Sequence, residues 1–248
     1  MKARTKKLSW YIGRFVSYGV AIVIFLGFIL SLPIWQIKKI EVAGNRYIPG
    51  DKIISIAKIP IGENIFLIDI DEVYQEFSAI VQIRSLKIKR KLPGAIIIEI
   101  KERDPFAIAV IGSTPTLVDE EGYIIARNDL SSSIYKLDIG QYPVIRGIKV
   151  RSLEKGARMN LNDRSFMKVA VNLLSKHFSQ HSLQLEMTNK DNIIVYIEDV
   201  LKVKLGDSGD LDKKIKVISA LLAPVSGKWN KVQYIDVSLP DSPVIRYI

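Results

Sequence analysis

The two histidines, His177 and His181, have the spacing of metal ligands on a helix, because residues four apart share one helical face. The chain has no cysteine, which excludes thiolate ligands and disulfide bonds. The surrounding sequence offers no clear third ligand, so the alternative of two ordinary histidines near a helix end is favoured. We therefore predict that the protein binds no metal and needs no cofactor.

Two glycine-containing segments resemble parts of enzyme motifs. Ser226-Gly227-Lys228 matches the end of a phosphate-binding loop, but Leu222 occupies the position of its first glycine and Trp229 replaces its hydroxyl residue. Gly206-Asp207-Ser208-Gly209 has the composition of a turn between a strand and a helix. Neither segment predicts a nucleotide site or a nucleophile.

Two groups of acidic residues have the spacing of a general acid–base pair. Asp69 and Asp71 precede an apolar helical pattern, and Asp69 stands three residues before Glu72, which is the arrangement of a capping box. Asp119–Glu121 form an acidic turn. Because a cap and a turn account for both groups, we predict a binding protein without catalytic residues or a small-molecule substrate.

One long apolar stretch, Phe15–Ile37, contains 23 residues without a charged side chain. As a helix it would measure about 35 Å, enough to cross a hydrocarbon core of about 30 Å. Five basic residues and no acidic residue precede it, and such a cluster stays on the cytoplasmic side of a membrane. We predict a basic cytoplasmic tail at residues 1–14 and a transmembrane helix at residues 15–36. The protein would be a single-pass type II protein of the cytoplasmic (inner) membrane, with its bulk in the periplasm.

A cleaved signal peptide is the alternative for this stretch, since it too combines basic residues with an apolar run. The run is longer than a usual signal-peptide core, and Leu32-Pro33-Ile34-Trp35-Gln36 contains no small-x-small cleavage site. Trp10, Tyr11 and Trp35 near the two ends are typical of interfacial anchors. The sequence thus favours an anchor that is not removed.

The formal net charge of +10 comes partly from the N-terminal tail. Five of the 36 basic residues precede residue 15 and all 26 acidic residues follow residue 40, so the chain beyond the tail carries only +5. Its acidic and basic residues are interleaved, which is typical of a solvated surface. We therefore predict no nucleic-acid partner.

Residues 37–101 alternate between strand and helix patterns. A strand with apolar residues at alternate positions ends at the turn Gly44-Asn45, Pro49 opens a short helix, and Asp69 caps a second helix. Two further alternating strands lie on either side of Pro93-Gly94. This β-α-α-β-β order predicts a small sheet covered by two helices.

Three segments of this region resemble a POTRA domain. They are Ile37-Lys38-Lys39-Ile40-Glu41-Val42-Ala43-Gly44-Asn45, Ile61-Gly62-Glu63-Asn64-Ile65-Phe66, and Leu92-Pro93-Gly94 with Ile98-Glu99-Ile100-Lys101-Glu102-Arg103. In that family a strand ending in Gly-Asn opens the module, and a charged segment from a glutamate to a proline closes it. Glu102 to Pro105 provides that closing segment here.

Residues 105–248 combine strand patterns with two helical patterns. Asn162 or Asp163 is predicted to cap the first helix, and the second helix runs through residues 211–222. Strand patterns occupy residues 183–187, 193–198 and 201–205, and residues 232–238 and 243–248 are extended. We predict a mainly antiparallel β domain with two or so helices.

Several segments of this second half resemble the FtsQ/DivIB family of bacterial cell-division proteins. They are Leu117–Tyr123, Tyr142–Gly147, Tyr234–Val237 and Asp241–Val244, although Tyr142 and Ser238 replace the leucine and arginine common in the family. With the basic tail, the apolar stretch and the POTRA-like unit, the resemblance covers nearly the whole chain. It implies an α+β protein with a transmembrane helix, a POTRA domain at residues 37–104 and an FtsQ-type β domain at residues 105–248.

The function that this resemblance implies is that of a non-enzymatic scaffold of the divisome during septum formation, enriched at the division site. The implied partners are FtsB and FtsL, with FtsW, FtsI and FtsK as further candidates. A protein without a reactive site can bind such partners at an exposed strand edge, where unpaired N–H and C=O groups accept an added strand.

The last strand is the predicted open edge of the β domain. The residues implied to bind the partner there are Tyr234, Asp236, Leu239, Ile245 and Tyr247. Val244 and Ile248 have the alternative of packing in the core of their own domain. A second edge in the POTRA-like unit presents Arg84, Lys87, Lys89 and Arg90, with a solvated strand face as the alternative.

An alternative function starts from the same POTRA pattern, because such modules also occur in envelope proteins for outer-membrane protein assembly or secretion. In those proteins many alternating segments of about ten residues follow the modules. Here two helical patterns interrupt residues 105–248. An envelope enzyme, a third possibility, would need a polar pocket that no motif predicts.

Overall fold

The computed structural model describes residues 2–127, 139–148, 150, 154–225 and 229–248. The chain forms two compact units, Met1–Glu102 and Arg103–Ile248. The segment Ser226-Gly227-Lys228, which resembles the end of a phosphate-binding loop, lies outside the described residues.

The first helix, α1, spans Lys2–Leu30 and is followed by a 3-10 turn at Pro33–Trp35. It ends before residue 36, the predicted limit, because Pro33 has no N–H to donate and holds Leu32 in extended backbone with ψ of 142°. Most large apolar side chains between Phe15 and Leu30 are exposed. Among the helices of the described residues, none combines the length and the hydropathy required for a membrane crossing.

The predicted β-α-α-β-β order is confirmed in the first unit. Its elements are β1 (Lys39–Ala43), α2 (Gly50–Ala57), α3 (Ile70–Ser78), β2 (Ile83–Lys91) and β3 (Ala95–Glu102). Strand β3 lies in the middle of the sheet, parallel to β1 and antiparallel to β2. One face of β3 is apolar at alternate positions and is buried, together with side chains of both helices: Ile53, Val73, Phe77, Ile96, Ile98 and Ile100.

The predicted cap at Asp69 is confirmed. Its Oδ1 accepts hydrogen bonds from the N–H groups of Asp71 at 2.9 Å and Glu72 at 3.3 Å. Two N–H groups that have no partner inside the helix are thereby satisfied. The carboxylate of Asp69 therefore has a structural role.

The POTRA-like Gly-Asn and Glu positions meet at one end of this sheet. Gly44 has φ of +83°, and a Cβ there would lie 2.2 Å from the carbonyl oxygen of Ile100, so only glycine fits. The buried carboxylate of Glu102 accepts three N–H groups of the turn at residues 46–48, at 2.8 to 3.1 Å. The two motif residues thus close the turn after β1 against the end of β3.

The second unit contains nine strands and two long helices in its described part. The strands are β4 (Pro105–Ile111), β5 (Thr114–Asp119), β6 (Ile124–Arg127), β7 (Val144–Arg146), β8 (Leu183–Glu186), β9 (Ile193–Ile197), β10 (Leu201–Gly206), β11 (Val232–Asp236) and β12 (Val244–Tyr247). The helices are α4 (Leu161–His177) and α5 (Leu211–Val225).

These nine strands form one sheet in the order β12-β11-β10-β9-β8-β7-β4-β5-β6. The predicted antiparallel character holds for most pairings, but β4–β7, β7–β8 and β10–β11 are parallel, so the sheet is mixed. Two parallel pairs follow from the helices: α4 connects β7 to β8 and α5 connects β10 to β11, and a crossover helix returns the chain in the same direction.

The two helices pack against one face of the sheet, which we call the covered face. Their side chains share a buried core with alternate strand residues, including Ile145, Leu185, Val195, Val203 and Ile235. The other residues of the same strands lie on the opposite face, which we call the open face, and are half-buried or exposed. The open face includes Tyr196, Lys204, Tyr234 and Asp236.

The cap predicted at Asn162 or Asp163 is wrong. Asn160 caps α4, because its side-chain oxygen accepts the N–H of Asp163 at 2.9 Å. Asn162 and Asp163 belong to the first helical turn. Three polar residues capable of capping occur within four positions, and only the backbone geometry distinguishes between them.

Candidate functional site

The acidic turn at Asp119–Glu121 is a structural ion pair rather than an acid–base site. Arg103 Nη1 lies 2.6 Å from Asp119 Oδ2 and 3.0 Å from Glu121 Oε2. Asp119 Oδ1 also accepts the N–H groups of Glu121 at 3.0 Å and Tyr123 at 2.8 Å. Burial lowers the pKa of Arg103, but its bonds to the two carboxylates outweigh that effect and hold the pKa above its ordinary value.

The two histidines do not come together as metal ligands. His177 is the last residue of α4, whereas His181 lies beyond it and its Nδ1 is 2.9 Å from Glu198 Oε1. Within the described residues, no group of three or more His, Cys, Asp or Glu side chains has the arrangement of a metal site.

The turn between β10 and α5 is held by a buried lysine. Lys214 Nζ lies 2.8 Å from Asp207 Oδ1 and 3.0 Å from Asp207 O, while Gly209 N–H donates to the same Oδ1 at 3.0 Å. The bonds from Lys214 and Gly209 hold the pKa of Asp207 below its usual range. The interpretation of residues 206–209 as a turn is confirmed.

Strand β12 lies at the end of the nine-stranded sheet and pairs with β11 alone among the described strands. The N–H of Ile248 donates to Lys231 O at 3.0 Å, so it points towards β11. Backbone groups alternate in direction along a strand, and the N–H and C=O groups of Ile245 and Tyr247 therefore point away from β11. They provide two donors and two acceptors for an added strand.

The exposed side chains of this edge are mostly apolar, which is unusual for a strand edge that faces water. Val244 is 54% exposed, Tyr247 57% and Ile248 90%. The alternative that Val244 and Ile248 pack in the core of their own domain is therefore wrong. Strand edges in proteins are usually protected by charges, prolines or a covering segment. Within β12, Arg246 is the one charged residue.

The predicted partner-binding residues fall into three places. Tyr234 and Asp236 lie on the open face, where their cross-strand partners are Arg246 and Val244. Ile245 is paired with the buried Ile235 and packs against the core on the covered face. The loop and strand-end positions are both exposed: Leu239 lies between β11 and β12, and Tyr247 ends β12.

Two basic residues beside Tyr234 were not among the residues expected from the sequence. Lys204 Nζ lies 3.8 Å from the centre of the Tyr234 ring, and Arg246 Cζ lies 6.0 Å from it. Lys204 belongs to β10. This strand pairs with β11 in parallel, although the whole of α5 separates the two strands along the chain. Alternation with the buried Val203 and Leu205 indicates that Lys204 faces outward, but only the pairing of distant strands places it beside Tyr234.

Strand β2 forms one of the two edges of the three-stranded sheet, and its four predicted residues differ in their contacts. Arg90 donates from Nε to Ile65 O at 2.8 Å and from Nη2 to Ile68 O at 2.9 Å, so it connects the sheet to the segment before α3. Lys89 pairs with Glu99 at 2.6 Å. Arg84 and Lys87 are exposed on the same strand. The geometry therefore gives Arg90 a structural role and leaves three exposed cations along the edge.

Family models match both units. Residues 35–103 match the model described as POTRA domain, FtsQ-type. Residues 108–238 match the model described as Cell division protein FtsQ/DivIB, C-terminal. The second match favours the division family over the envelope-assembly alternative, because it covers the region after the POTRA unit.

Full-length relatives show the same similarity. Cell division protein DivIB of Clostridium tetani is 28% identical over 221 residues, which cover 86% of this chain and 80% of that protein. DivIB of Clostridium acetobutylicum is 26% identical over 221 residues, 87% of this chain and 84% of that protein. Cell division protein FtsQ of Corynebacterium glutamicum is 23% identical over 232 residues, 93% of this chain and 96% of that protein.

Proposed function

We propose that this chain, which belongs to the FtsQ/DivIB family of bacterial cell-division proteins, is a membrane-anchored scaffold that docks FtsB and FtsL through the open edge of β12. Its relatives are named cell division proteins, and a role in cell division follows from the family. The proposed activity is non-catalytic and consists of holding partners at the division site during septum formation.

The apolar, unpaired edge of β12 is the observation that carries this proposal. An incoming strand would gain hydrogen bonds from the outward N–H and C=O groups of Ile245 and Tyr247. Its side chains would alternate between Val244 and Tyr234 on the open face and Tyr247 on the covered face. Lys204 and Arg246 beside Tyr234 favour a partner strand with acidic side chains, because complementary charge supports specificity and association.

The membrane anchor is supported by the composition of α1 and the residues after it. Residues 15–37 carry no charge, and most large apolar side chains between Phe15 and Leu30 are exposed around the helix, as lipid contact requires. The basic residues before them favour a cytoplasmic N-terminus and a type II orientation, with residues 38–248 outside the cytoplasm. Confinement to a membrane plane raises the effective concentration of partners, so modest affinities suffice for assembly.

The edge of β2 is proposed as a second docking surface for membrane-embedded division proteins such as FtsW, FtsI and FtsK. Its support is the row of exposed cations Arg84, Lys87 and Lys89 on a strand whose outer side pairs with no other described strand, although the N–H of Ile88 donates to the Tyr74 hydroxyl at 3.3 Å. Cross-linking from a photoreactive residue at position 87 in growing cells would identify the partner, and labelling of no division protein would refute this second surface.

The substitution Tyr247→Pro tests docking at β12. Proline removes the outward N–H and the aromatic ring, whereas the N–H of Ile248 that bonds to β11 remains. We expect the affinity of the full-length chain for an FtsB–FtsL complex, measured in detergent micelles, to fall about tenfold or more, as expected from the loss of one hydrogen bond and one buried contact.

Val169→Ser provides the matched control. Val169 is a similarly exposed apolar residue on α4, so this variant should bind with unchanged affinity. Truncation after Asp241 removes β12 and should abolish binding. Equal affinities of the Tyr247→Pro, truncated and unaltered chains would exclude β12 as the docking edge.

A further inference from the structure

The end of α1 is held by the domain that follows it. The side chain of Asn64 donates from Nδ2 to Leu30 O at 2.5 Å, and the indole Nε1 of Trp35 donates to Ile29 O at 2.7 Å. Carbonyl groups in the last turn of a helix have no partner within the helix. Here two of them are satisfied by side chains from beyond the helix, so α1 and the POTRA unit are joined by specific contacts.

The segment after α1 is bonded on both sides. Ile65 N–H donates to Trp35 O at 2.9 Å, and residues 62 and 63 exchange two 2.8 Å bonds with Ile37. On the other side, Lys38 N–H donates to Gly94 O at 2.8 Å. The loop at residues 61–67 and the turn at residues 92–94 therefore flank residues 35–38, the segment that follows α1, and we call the loop and the turn together the collar.

The collar exposes large apolar side chains. Ile61 is 61% exposed and Leu67 80%, while Phe66 and Leu92 are exposed as well. The ring of Phe66 contacts Trp35 edge to face, with 5.3 Å between the ring centres. Exposed apolar side chains that cluster at one place indicate a contact surface, since isolated ones would be ordinary.

We propose that the collar lies in the interfacial region of the lipid bilayer and inserts these side chains at its surface. The proposal rests on the membrane anchor proposed above and deepens it. The apolar surface of the collar continues that of α1, through the exposed Leu32 and Ile34 between them. Trp35 lies where an interfacial aromatic residue is expected. Lys38, exposed beside the collar, is positioned to contact anionic headgroups, whereas Lys91 pairs with Glu41 at 3.4 Å.

The collar would set the orientation of the POTRA unit on the membrane. Lys91 at the end of β2 adjoins the turn at residues 92–94, and Ile83 lies at the other end of the strand. Nine residues of strand measure about 30 Å. The open edge of β2 would therefore begin at the lipid surface and rise from it, which suits partners that are themselves embedded in the membrane.

Single-cysteine labelling tests the collar, because the chain has no native cysteine. The full-length variants Ile61→Cys, Leu67→Cys and Ser85→Cys are labelled with an environment-sensitive fluorophore and reconstituted in phosphatidylcholine–phosphatidylglycerol vesicles. Ser85 is the control, since it is exposed and lies six residues, about 20 Å, along β2 from Lys91. We expect nitroxide-bearing lipids to quench the collar probes several-fold more than the control, and aqueous iodide to quench the control preferentially.

Alkaline extraction of the same vesicles distinguishes failure of the proposed membrane anchor from failure of the proposed collar contact. Retention of the chain together with lipid quenching at residues 61 and 67 supports the collar. Retention with the same quenching at all three positions overturns the collar and leaves the anchor standing. Release of the chain by alkali overturns the anchor in the proposed function, and the collar with it.

Discussion

Tyr123 lies between two arginines that also bind the acidic turn beside it. Arg103 Cζ is 3.9 Å and Arg158 Cζ is 4.5 Å from the centre of its ring, and Arg158 Nε donates to Glu121 O at 3.0 Å. The Arg103–Asp119 pair has little exposure on either side. Such a pair costs desolvation when it forms, and the loss of one partner is costly because the other charge stays buried.

The substitution Arg103→Ala is therefore expected to lower the free energy of unfolding by about 2–3 kcal/mol, less than the loss of an isolated buried pair because Asp119 keeps two N–H donors. The control is Glu120→Ala, which removes an exposed pair with Lys168 and should change stability by less than about 0.5 kcal/mol. Urea unfolding of the full-length chain in detergent measures both. Similar small losses in the two variants would show that the Arg103 cluster adds no stability.

The connection between β10 and α5 determines the position of β12, the proposed docking edge. Helix α5 returns the chain so that β11 pairs with β10 in parallel, and β12 then pairs with β11. Lys214 near the start of α5 is buried and bonds to Asp207 just after β10, so it closes this connection. Gly206 has φ of +70° and approaches Ser238 after β11, which brings the two strand ends together.

Stability at this connection should depend on pH through Asp207. Its pKa is lower in the folded chain than in the unfolded chain, because Lys214 and Gly209 bond to the carboxylate. The stabilisation is therefore complete above the ordinary aspartate pKa of about 4 and is lost as the pH falls through the lower folded value. We expect Asp207→Asn to lower the melting temperature from about pH 5 to 7, and the difference from the unaltered chain to shrink in acid.

The control for this prediction is the same Asp207→Asn substitution made in a chain that also carries Lys214→Met. In that variant Asp207 has lost its ammonium partner and keeps only the bond from the Gly209 N–H, so the further change Asp207→Asn should lower the melting temperature less than it does in the unaltered chain. A difference between the unaltered chain and Asp207→Asn that stays constant down to about pH 2, or that is equally large in the Lys214→Met background, would contradict this account.

The whole molecule combines an apolar N-terminal helix with two units, each of which has an open strand edge in its described part. Asp69 and the acidic turn at Asp119–Glu121 have structural contacts in the described part of the chain. A scaffold needs location and docking surfaces, and the proposed function assigns these roles to the helix and to the two strand edges. The proposed scaffold therefore acts by placing its partners rather than by altering a substrate.

Depletion of the protein in its own host should block division. We expect long filaments with segregated chromosomes and unconstricted envelopes, and microscopy checks this outcome. A plasmid copy carrying Val169→Ser should restore septa, whereas Tyr247→Pro should leave filaments at equal protein levels. Normal septa together with defective outer-membrane assembly would instead support the alternative function of POTRA-containing envelope proteins.

Local patterns in the sequence were sufficient for most of the architecture. Three expected features depend only on residues close together in the chain, and the structure contains all of them. They are the alternation around Ile96 and Ile98, the cap at Asp69 and the turn at Pro93-Gly94. The resemblance to FtsQ/DivIB followed from the order of such motifs along the chain. The open edge at the last strand was also predicted from position and apolar composition.

Contacts between distant segments required the folded chain. The parallel pairing of β10 with β11 brings Lys204 to Tyr234, and Arg90 bonds to carbonyl groups more than twenty residues away. The capping of α1 by Asn64 is of the same kind. Strand and helix patterns arise from interactions between near neighbours and can be read along the sequence. Contacts between exposed residues depend on how distant elements pack. This packing decided that Arg90 supports the fold, that Val244 is exposed, and that Asn64 of the collar bonds to the end of α1.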